Sequence, residues 1–376
     1  MSAGPKVVRL VVSLLAVAAL SACALPRSGP YYDEITTAEP PEGYDFHVIP
    51  LSPDVARVTR LDERSGFDVR FIDQRAEAVN TIAPGDELVI TVWENIDEGL
   101  LNPAGIGATG LPRTKVDENG RVFVPYIGPV RASGRTIGQL RSAIQQSLSQ
   151  RTLNPQVDIF PADNKGRIIS IQGVVGAPGL YPIEQATKNV LPMMALAGGV
   201  SVDPEVARLR IRRGNIMGEI WLTDLYDDPR NDVFLKSGDR IIVERDRRIF
   251  TALGAVGGSS TVQFPTRDLS VIRALGTVGG LSENTADPTG IFLFREERAE
   301  ISNRLLPGRE FTEPQRIAYI IDLTQPAGMF LARDFMMRDG DTIFVTTAPF
   351  VRWLKILSSI SPFVNFAAST RTLGGF

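Results

Sequence analysis

Short runs of alternating apolar and polar residues characterise the middle of this chain, and they predict β-strands. Residues 88–93 read L-V-I-T-V-W shortly after the turn sequence Pro84-Gly85-Asp86, so we expect a strand there. Asn119-Gly120 separates two further runs of this kind. This dipeptide predicts the turn of a β-hairpin within residues 116–125.

One helix is predicted after this hairpin. Thr136 and Gln139 can form a capping box, and apolar residues then recur at helical spacing. Asn154-Pro155 ends the helical pattern before a strand over residues 156–160. This order of elements predicts one small domain of strands and a helix.

The tail of the chain, residues 349–370, has the periodicity of an amphipathic helix. Pro349 suits a first helical turn, because a backbone N–H at that position would have no partner within the helix, so proline loses no hydrogen bond. Polar residues gather on one side, and the candidates to face a water-filled lumen are Arg352, Lys355, Ser358, Ser359 and Asn365. Apolar residues gather on the other side, and the candidates to face lipid are Phe350, Trp353, Leu354, Leu357, Ile360 and Val364.

Two interpretations of this tail helix remain open. About 21 residues at 1.5 Å each span roughly 30 Å, the thickness of a bilayer's hydrocarbon core. The uncharged stretch, residues 356–370, is too short and too polar for a lone spanning helix. The tail is therefore either a core or membrane-surface helix, or one of several copies packed around a wet lumen.

Pro362 should kink the tail helix or split it after Ser361. Arg352 and Lys355 oppose the helix dipole, so we expect lipid phosphates or an anionic polymer beside them.

The N-terminus, residues 1–22, has the pattern of an export signal, in which Lys6 and Arg9 precede an apolar run that is too short to span a membrane. The junction at the end of this signal resembles the bacterial lipobox, with the residues Leu20-Ser21-Ala22-Cys23. That resemblance implies cleavage between Ala22 and Cys23, acylation of Cys23, and delivery to the outer membrane because Ala24 rather than Asp follows. The alternative is an ordinary signal peptide with an incidental cysteine.

Composition and charge exclude several classes of function. The chain has 376 residues, enough for two or three domains, of which 43% are hydrophobic. Its formal net charge is −3 and would be −5 without residues 1–22, so we expect no nucleic-acid partner. Cys23 is the only cysteine, which excludes disulfides and thiolate metal sites within one chain. The only histidine, His47, has no catalytic partner, and we expect it at the surface.

Other candidates for chemistry have simpler explanations. Asp86, Asp239 and Asp341 each follow a glycine and could be imagined as glycosidase carboxylates, but we predict that they occupy one equivalent turn in successive domains. No loop has the ligand spacing of a calcium site. Residues 105–110 form a G-x-G-x-x-G sequence, but prolines flank it on both sides and we predict a mobile loop. We therefore expect no enzymatic activity, no metal and no cofactor.

Aromatic residues are candidates for sugar contact, because an aromatic face suits the C–H side of a pyranose. Four such candidates are Trp93, Tyr126, Trp221 and Phe264. Burial in a core is the alternative for each, so none is assigned as a sugar contact.

The region after residue 164 contains an internal duplication. Gly173-Val174-Val175-Gly176 recurs as Gly254-Ala255-Val256-Gly257, and each copy closes on a Gly-Asp turn before a final strand. The second copy is longer, and we place its extra residues in the polar stretch 296–315. Each copy is predicted to run from a strand through a turn and a short helix ending in Gly-Gly to further strands.

These motifs resemble those of the outer-membrane polysaccharide export (OPX) lipoproteins, the family of capsule and exopolysaccharide translocons. The export domain is identified by P-G-D-x-L-x-I-x-V from residue 84, D-x-x-G-x-V-x-V-P-x-I-G from residue 117, G-R-T-I-x-x-L from residue 134 and N-P-Q-V from residue 154. The duplicated region resembles the soluble-ligand-binding β-grasp (SLBB) domain that follows the export domain in the same family.

The resemblance implies an α+β, multidomain chain with a small export domain, two β-grasp-like (SLBB) domains and a C-terminal amphipathic helix. The expected segments are a signal peptide (1–22), an extended N-terminal linker (23–79), the polysaccharide export domain (80–165), two SLBB domains (166–247 and 248–347), and the membrane helix with its tail (348–376).

The resemblance also implies a function, that of an outer-membrane lipoprotein whose oligomeric channel exports capsular or extracellular polysaccharide. The implied partners are the polysaccharide, outer-membrane lipid, a homo-oligomeric ring (eightfold in the well-known capsule exporter) and an inner-membrane polysaccharide co-polymerase or chain-length regulator. Most of the chain would lie in the periplasm of a Gram-negative bacterium. The alternative is a periplasmic polysaccharide-binding or scaffolding lipoprotein without its own pore. A lyase or hydrolase would need a convergent acid–base set, which the sequence does not offer.

Overall fold

The chain contains both helices and strands in the computed structural model, which describes residues 27, 29–37, 44–61, 66–72, 75, 76, 78–94, 101, 107–351 and 353–355. In these ranges the helices are α1 (Tyr32–Thr36), α2 (Pro53–Thr59), α3 (Val69–Ile72), α4 (Ile137–Leu148), α5 (Val190–Leu196), α6 (Leu222–Asp227), α7 (Val271–Thr277), α8 (Ala299–Leu305) and α9 (Pro326–Asp334). The strands are β1 (Phe46–Pro50), β2 (Glu87–Glu94), β3 (Gly107–Gly110), β4 (Thr114–Lys115), β5 (Arg121–Val124), β6 (Gly128–Arg131), β7 (Gln156–Asp163), β8 (Ile168–Gly173), β9 (Gly179–Pro182), β10 (Ala207–Arg213), β11 (Ile216–Trp221), β12 (Arg240–Arg245), β13 (Ile249–Gly254), β14 (Ser260–Gln263), β15 (Ala286–Glu297), β16 (Gln315–Ile321) and β17 (Thr342–Thr347). The chain divides into a middle unit, residues 63–246, and a terminal unit, residues 1–62 with 247–376.

The first part of the middle unit is a small sheet packed against one helix. β2 lies at its centre and pairs antiparallel with β3, β4 and β7. α4 buries Leu140, Ile144 and Leu148 in one core with the inward side chains of β2. The predicted capping box is confirmed, because the Gln139 N–H donates to the Thr136 hydroxyl at 3.2 Å and the Thr136 N–H donates to the Gln139 side chain at 3.0 Å. The strand predicted over residues 88–93 is confirmed as β2.

The hairpin predicted around Asn119-Gly120 is built differently. Residues 118–120 do turn, and Gly120 has φ +74°. However, β4 before this turn pairs with β2, whereas β5 after it pairs with β6. The antiparallel ladder therefore closes around the next turn, which contains Tyr126. Pairing with β2 satisfies the backbone groups of β4 within the larger sheet, and this tertiary preference overrides the local turn signal.

The two remaining sheets repeat one topology. The middle unit has the order β11-β10-β12-β8-β9, and the terminal unit has the order β16-β15-β17-β13-β14 with β1 added beside β16. We call β8–β12 the first repeat and β13–β17 the second repeat. In each repeat the first and last strands pair in parallel. The predicted duplication is thus confirmed, and the extra residues of the second copy lie between β15 and β16, where they include α8.

The repeated glycine motif has a steric cause. Gly173 ends β8 and Gly254 ends β13, with φ of +95° and +85°. A Cβ on Gly173 would lie 1.9 Å from the carbonyl oxygen of Val243, and a Cβ on Gly254 would lie 2.1 Å from that of Val345. Glycine is therefore required where the first strand of each repeat turns away beside the last strand.

The N-terminal segment, which we expected to be an extended linker, is folded over residues 46–59. β1 pairs in parallel with β16 and so occupies the edge of the second repeat's sheet. α2 buries Val55 and Ala56 in the main core of that repeat. α1, earlier in the chain, buries Ile35 in a second cluster whose residues alternate along the strands with those of the main core. Elements this short leave little periodicity in the sequence, whereas their burial stabilises them in the fold.

A short helix or strand was expected near residues 67–72, and the structure has α3 there. Phe67 and Phe71 are buried in the core of the first repeat, with ring centroids 5.6 Å apart. A Cβ on Gly218 of β11 would lie 2.7 Å from the Phe67 ring. The residue at position 218 must therefore be small for these rings to pack.

Candidate functional site

Most residues predicted to contact membrane or polymer lie outside the described part of the chain. These residues are Ala22, Cys23, Arg352, Leu357, Ser358, Ser359, Ile360, Val364 and Asn365. The tail helix does begin where the sequence predicts it, because residues 349–351 and 353–355 are helical. Phe350, Trp353 and Leu354 are 67%, 65% and 45% exposed, and Lys355 is exposed as well. The first turns of the tail thus present apolar side chains that the terminal unit leaves uncovered.

The described helices do not themselves account for a membrane crossing. None of them has both the length and the apolar character that a bilayer-spanning helix requires. The assignment of the tail to lipid or lumen therefore stays a prediction.

The start of the N-terminal segment and the start of the tail both adjoin β17. Gly29 packs so closely on the ring of Phe344, in β17, that a Cβ on Gly29 would lie 2.6 Å from it. Arg27 forms an ion pair with Glu34 of α1 at 2.7 Å, which holds the chain just before this contact. Three residues after Phe344, β17 stops at Thr347, and the helical residues begin at Pro349. One strand of the terminal unit therefore carries the attachment of both segments that were predicted to reach the membrane.

The three aspartates that follow glycines hold turns, as predicted. Asp86, Asp239 and Asp341 are buried, and each carboxylate accepts a backbone N–H from three residues earlier. Those donors belong to Ala83, Lys236 and Arg338. Their role is therefore to fix the turn before a strand.

Asp239 and Asp341 also accept hydrogen bonds from an equivalent arginine in each repeat. Arg213 donates to Asp239 through Nε at 2.9 Å and Nη2 at 2.6 Å. Arg295 donates to Asp341 in the same way, at 2.8 and 2.5 Å. Bidentate pairs of this kind fix geometry as well as charge. No local pattern in the sequence indicates these pairs, since the two partners are far apart along the chain.

The second repeat extends this pair into a buried polar network. Glu297 accepts from the Tyr319 hydroxyl at 2.8 Å and from Arg338 at 2.7 Å, and Arg338 also donates to the carbonyl oxygen of Thr59 in α2. Burial and the neighbouring Glu297 carboxylate raise the pKa of Tyr319, so its hydroxyl remains a donor. Burial and Arg295 lower the pKa of Arg338. The side chains of Arg295, Glu297 and Asp341 are at most 3% exposed and bind one another, which indicates a structural role.

The aromatic candidates separate into surface and core. Trp93 and Tyr126 are 40% and 53% exposed, whereas Trp221 and Phe264 are buried. Sequence reasoning missed Phe123 and Phe160, which are 64% and 59% exposed on strands of the export region. Strand alternation could have identified Phe123, because it lies between the buried residues Val122 and Val124, whereas Phe160 is followed by further exposed residues.

Two other sequence predictions need correction. The last four residues of the G-x-G-x-x-G sequence form β3, a strand paired with β2, rather than a mobile loop. His47, expected at the surface, is half-buried in β1 with its ring centroid 5.6 Å from that of Phe311. Its burial, together with Arg309, lowers the pKa of His47.

The described residues contain no metal-ligand cluster: no three or more His, Cys, Asp or Glu side chains there could jointly hold an ion. The buried carboxylates of Asp239 and Asp341 accept hydrogen bonds from arginine and backbone donors.

Comparison with known proteins agrees with the export-domain and SLBB motifs. Residues 74–160 match a family model described as "Polysaccharide biosynthesis/export protein", and residues 248–345 match one described as "SLBB domain". The chain is 28% identical to a capsule polysaccharide export outer membrane protein of Neisseria meningitidis, over 97% of this chain and 98% of that protein. It is 26% identical to a Vi polysaccharide export protein of Salmonella typhi, over 95% of this chain and 98% of that protein. It is 27% identical to an EPS I polysaccharide export outer membrane protein of Ralstonia solanacearum, over 95% of each chain.

These matches extend over nearly the full length of three export proteins from different bacteria. They agree with the order of elements in the structure, in which a small α+β export region precedes two sheets of one topology. The chain therefore belongs to the outer-membrane polysaccharide export (OPX) family, with a polysaccharide export domain and SLBB-type repeats.

Proposed function

We propose that this chain is an outer-membrane lipoprotein, acylated at Cys23, that assembles into a homo-oligomeric ring and exports capsular or extracellular polysaccharide. The tail helices of the subunits would form the wall of the channel through the membrane, and most of the chain would lie in the periplasm. No enzymatic step is part of this function.

The names of the relatives support the substrate class and the membrane. The N. meningitidis and R. solanacearum proteins are named as polysaccharide export proteins of the outer membrane. Because the matches span 95% or more of each chain, the proposal concerns the whole architecture rather than one shared domain.

The observation that carries the proposal is the attachment of both membrane-directed segments to β17. Cys23 precedes Gly29 by six residues, which reach at most about 20 Å when fully extended. Gly29 packs on Phe344 of β17, and the helical residues of the tail begin directly after that strand. An acyl anchor at Cys23 would thus hold the second repeat close to the bilayer, where the tail starts.

A ring of amphipathic helices is one of the few structures that can line a pore in lipid, because every backbone polar group is satisfied within each helix. A passing polymer needs a wet lining more than a tight binding site. Ser358, Ser359 and Asn365, with Arg352 and Lys355 near the helix start, are the candidates for that lining. An inner-membrane polysaccharide co-polymerase or chain-length regulator would deliver the polymer to the periplasmic side.

Labelling of the C-terminus on intact cells tests the channel against a scaffolding lipoprotein without a pore. An epitope after Phe376 should bind antibody on whole cells if the tail crosses the membrane, while an epitope inserted after Gly308, in the loop between β15 and β16, should bind only after permeabilisation. Protection of both epitopes would favour a tail that lies flat on the inner leaflet and would contradict the channel.

A further inference from the structure

The outward face of the hairpin formed by β5 and β6 carries two arginines and an apolar row. Arg121 and Phe123 are exposed on β5, while the residues next to them on the strand are in the core. Across the ladder, Arg121 lies opposite Arg131, and Phe123 lies opposite Pro129. Tyr126 is exposed at the turn that joins the strands. We call these five residues the hairpin strip.

The two arginines of the hairpin strip lie opposite each other, and no acidic side chain among the described residues pairs with either. Like charges directly across a strand pair destabilise a sheet. Neither guanidinium forms an ion pair or a side-chain hydrogen bond with any residue that the structure describes. The nearby Asp117 carboxylate accepts the backbone N–H of Arg121 at 2.7 Å instead. The chain as a whole is acidic, with a net charge of −3, so this pair does not reflect a general excess of bases.

The turn residue gives a second and independent indication. Tyr126 has φ +68°, in the left-handed region that side chains other than those of glycine, asparagine and aspartate rarely adopt. Asparagine would fit this backbone better, and nothing buries the ring, which is exposed. Unfavourable backbone geometry at an exposed aromatic points to a requirement for the ring itself.

An acidic polysaccharide matches this combination of groups. A guanidinium binds a carboxylate through two parallel hydrogen bonds, and the flat faces of Phe123, Tyr126 and Pro129 suit the C–H faces of sugar rings. Successive outward positions on a strand are about 7 Å apart, so charge and apolar surface follow one another along the strip. An extended polymer can contact both kinds of surface at once.

We infer that the hairpin strip is a binding site for a polysaccharide that carries carboxylates. The inference rests on the proposed export function and adds to it the chemical class of the polymer and its site on the export domain. Two cations are few for a nucleic acid, whose binding depends on many phosphate contacts.

The test measures binding of the full-length, detergent-extracted protein to two labelled polymers, acidic polygalacturonate and neutral dextran. The wild-type chain should prefer polygalacturonate, and added salt should weaken the binding. Replacing both arginines, Arg121→Gln with Arg131→Gln, should weaken it by about tenfold or more, because each charge-assisted hydrogen bond is worth at least that factor. Phe123→Ser with Tyr126→Asn should weaken binding to both polymers, while the asparagine keeps the turn.

Arg212 and Arg240 provide a matched control. They too are exposed and directly opposite each other, on β10 and β12, but no exposed aromatic ring lies in their row of the sheet. Arg212→Gln with Arg240→Gln removes the same charge and should change polygalacturonate binding by less than about twofold. Equal loss in both double variants would show non-specific attraction and overturn the inference. So would an absence of preference for polygalacturonate in the wild-type protein.

Two further readouts keep the outcomes distinct. If the Arg121/Arg131 variant binds polygalacturonate normally but sediments as a smaller assembly, the strip is a contact between subunits and the inference is overturned. Surface polysaccharide on cells separates this inference from the proposed function. Normal export by cells that lack the chain would contradict the export function. If those cells lose export but the Arg121/Arg131 variant binds polygalacturonate as well as the wild type does, only the assignment of the hairpin strip is contradicted.

Discussion

Arg295 and Asp341 form a closed, doubly hydrogen-bonded ion pair inside the second repeat, with only 3% and 1% of their side chains exposed. The pair joins β15 to the turn that precedes β17. Arg213 and Asp239 make the same connection in the first repeat. Because both copies keep it, this ion pair belongs to the framework of the repeat rather than to a ligand site.

Replacing Arg295 by methionine should therefore strongly destabilise the terminal unit. The change leaves the buried Asp341 carboxylate without its bidentate guanidinium partner, and breaking a buried pair costs about 3–5 kcal/mol. Urea unfolding of the full-length chain, followed by fluorescence, measures the loss. Arg57→Met is the matched control, because Arg57 pairs with Asp54 at an exposed site and should contribute less than about 1 kcal/mol. Similar losses in the two variants would contradict the structural role of the Arg295–Asp341 pair.

Gly173→Ala should destabilise the first repeat by about 2–4 kcal/mol, because the new methyl group would overlap the Val243 carbonyl at a backbone with positive φ. Gly199→Ala is the control. It also has positive φ, but no atom lies within 4 Å of the added carbon, so the cost should be near 1 kcal/mol. Thermal unfolding of both variants compares them. Equal costs would mean that the close approach of β8 to β12 does not require glycine.

Ile35→Ala should loosen the N-terminal segment from the second repeat. Ile35 is buried among Phe292, Ala318 and Phe344, and a buried isoleucine-to-alanine change costs about 2–5 kcal/mol. Hydrogen exchange should therefore become faster in α1 and in the neighbouring strand β1. Val69→Ala, at a side chain that is 64% exposed, should leave exchange unchanged. Slow exchange in the Ile35 variant would show that α1 is held by other contacts.

The docking of β1 should also depend on pH through His47. Burial and Arg309 lower the pKa of His47 in the folded chain, while Asp45 raises it less. At a pH below the ordinary histidine pKa of about 6.5, the unfolded chain binds the proton more readily than the folded chain does. The stabilisation that neutral His47 contributes is therefore complete above that pH, and it is lost as the pH falls through the lowered pKa of the folded chain.

A pH series of urea midpoints between about 5 and 8 measures this effect. The difference between wild type and His47→Gln should be constant above about pH 6.5 and should shift against the wild type at lower pH. A difference that is flat over the whole range, or that grows in favour of the wild type on acidification, would contradict the burial of His47.

Local chemistry made the export region and the repeats predictable from the sequence. The capping box of Thr136 and Gln139, the alternation in β2 and the repeated Gly-Asp turns each depend on neighbouring residues, and each is present in the structure. Gly173 and Gly254 were visible as a repeated motif, although their cause, contact with the last strand of each sheet, needs the fold.

Features that depend on distant partners could not be predicted in this way. β1 pairs with β16, which lies more than 250 residues later in the chain, and a five-residue strand near prolines has little pattern of its own. The Arg295–Asp341 pair and the exposure of Phe123 likewise follow from topology. Of the proposed functional residues, Cys23 and most of the tail were identified from local motifs alone, and their roles stay predictions.

The proposed channel is tested most directly by the amount of surface polysaccharide on cells whose chain ends at Ala348. Without residues 349–376 the acyl anchor and the folded domains are retained, but the helices that would wall the pore are removed. We predict that surface polysaccharide is abolished while the truncated chain is still exported, acylated and assembled into a ring. Unchanged surface polysaccharide in these cells would contradict the assignment of the tail as the channel wall.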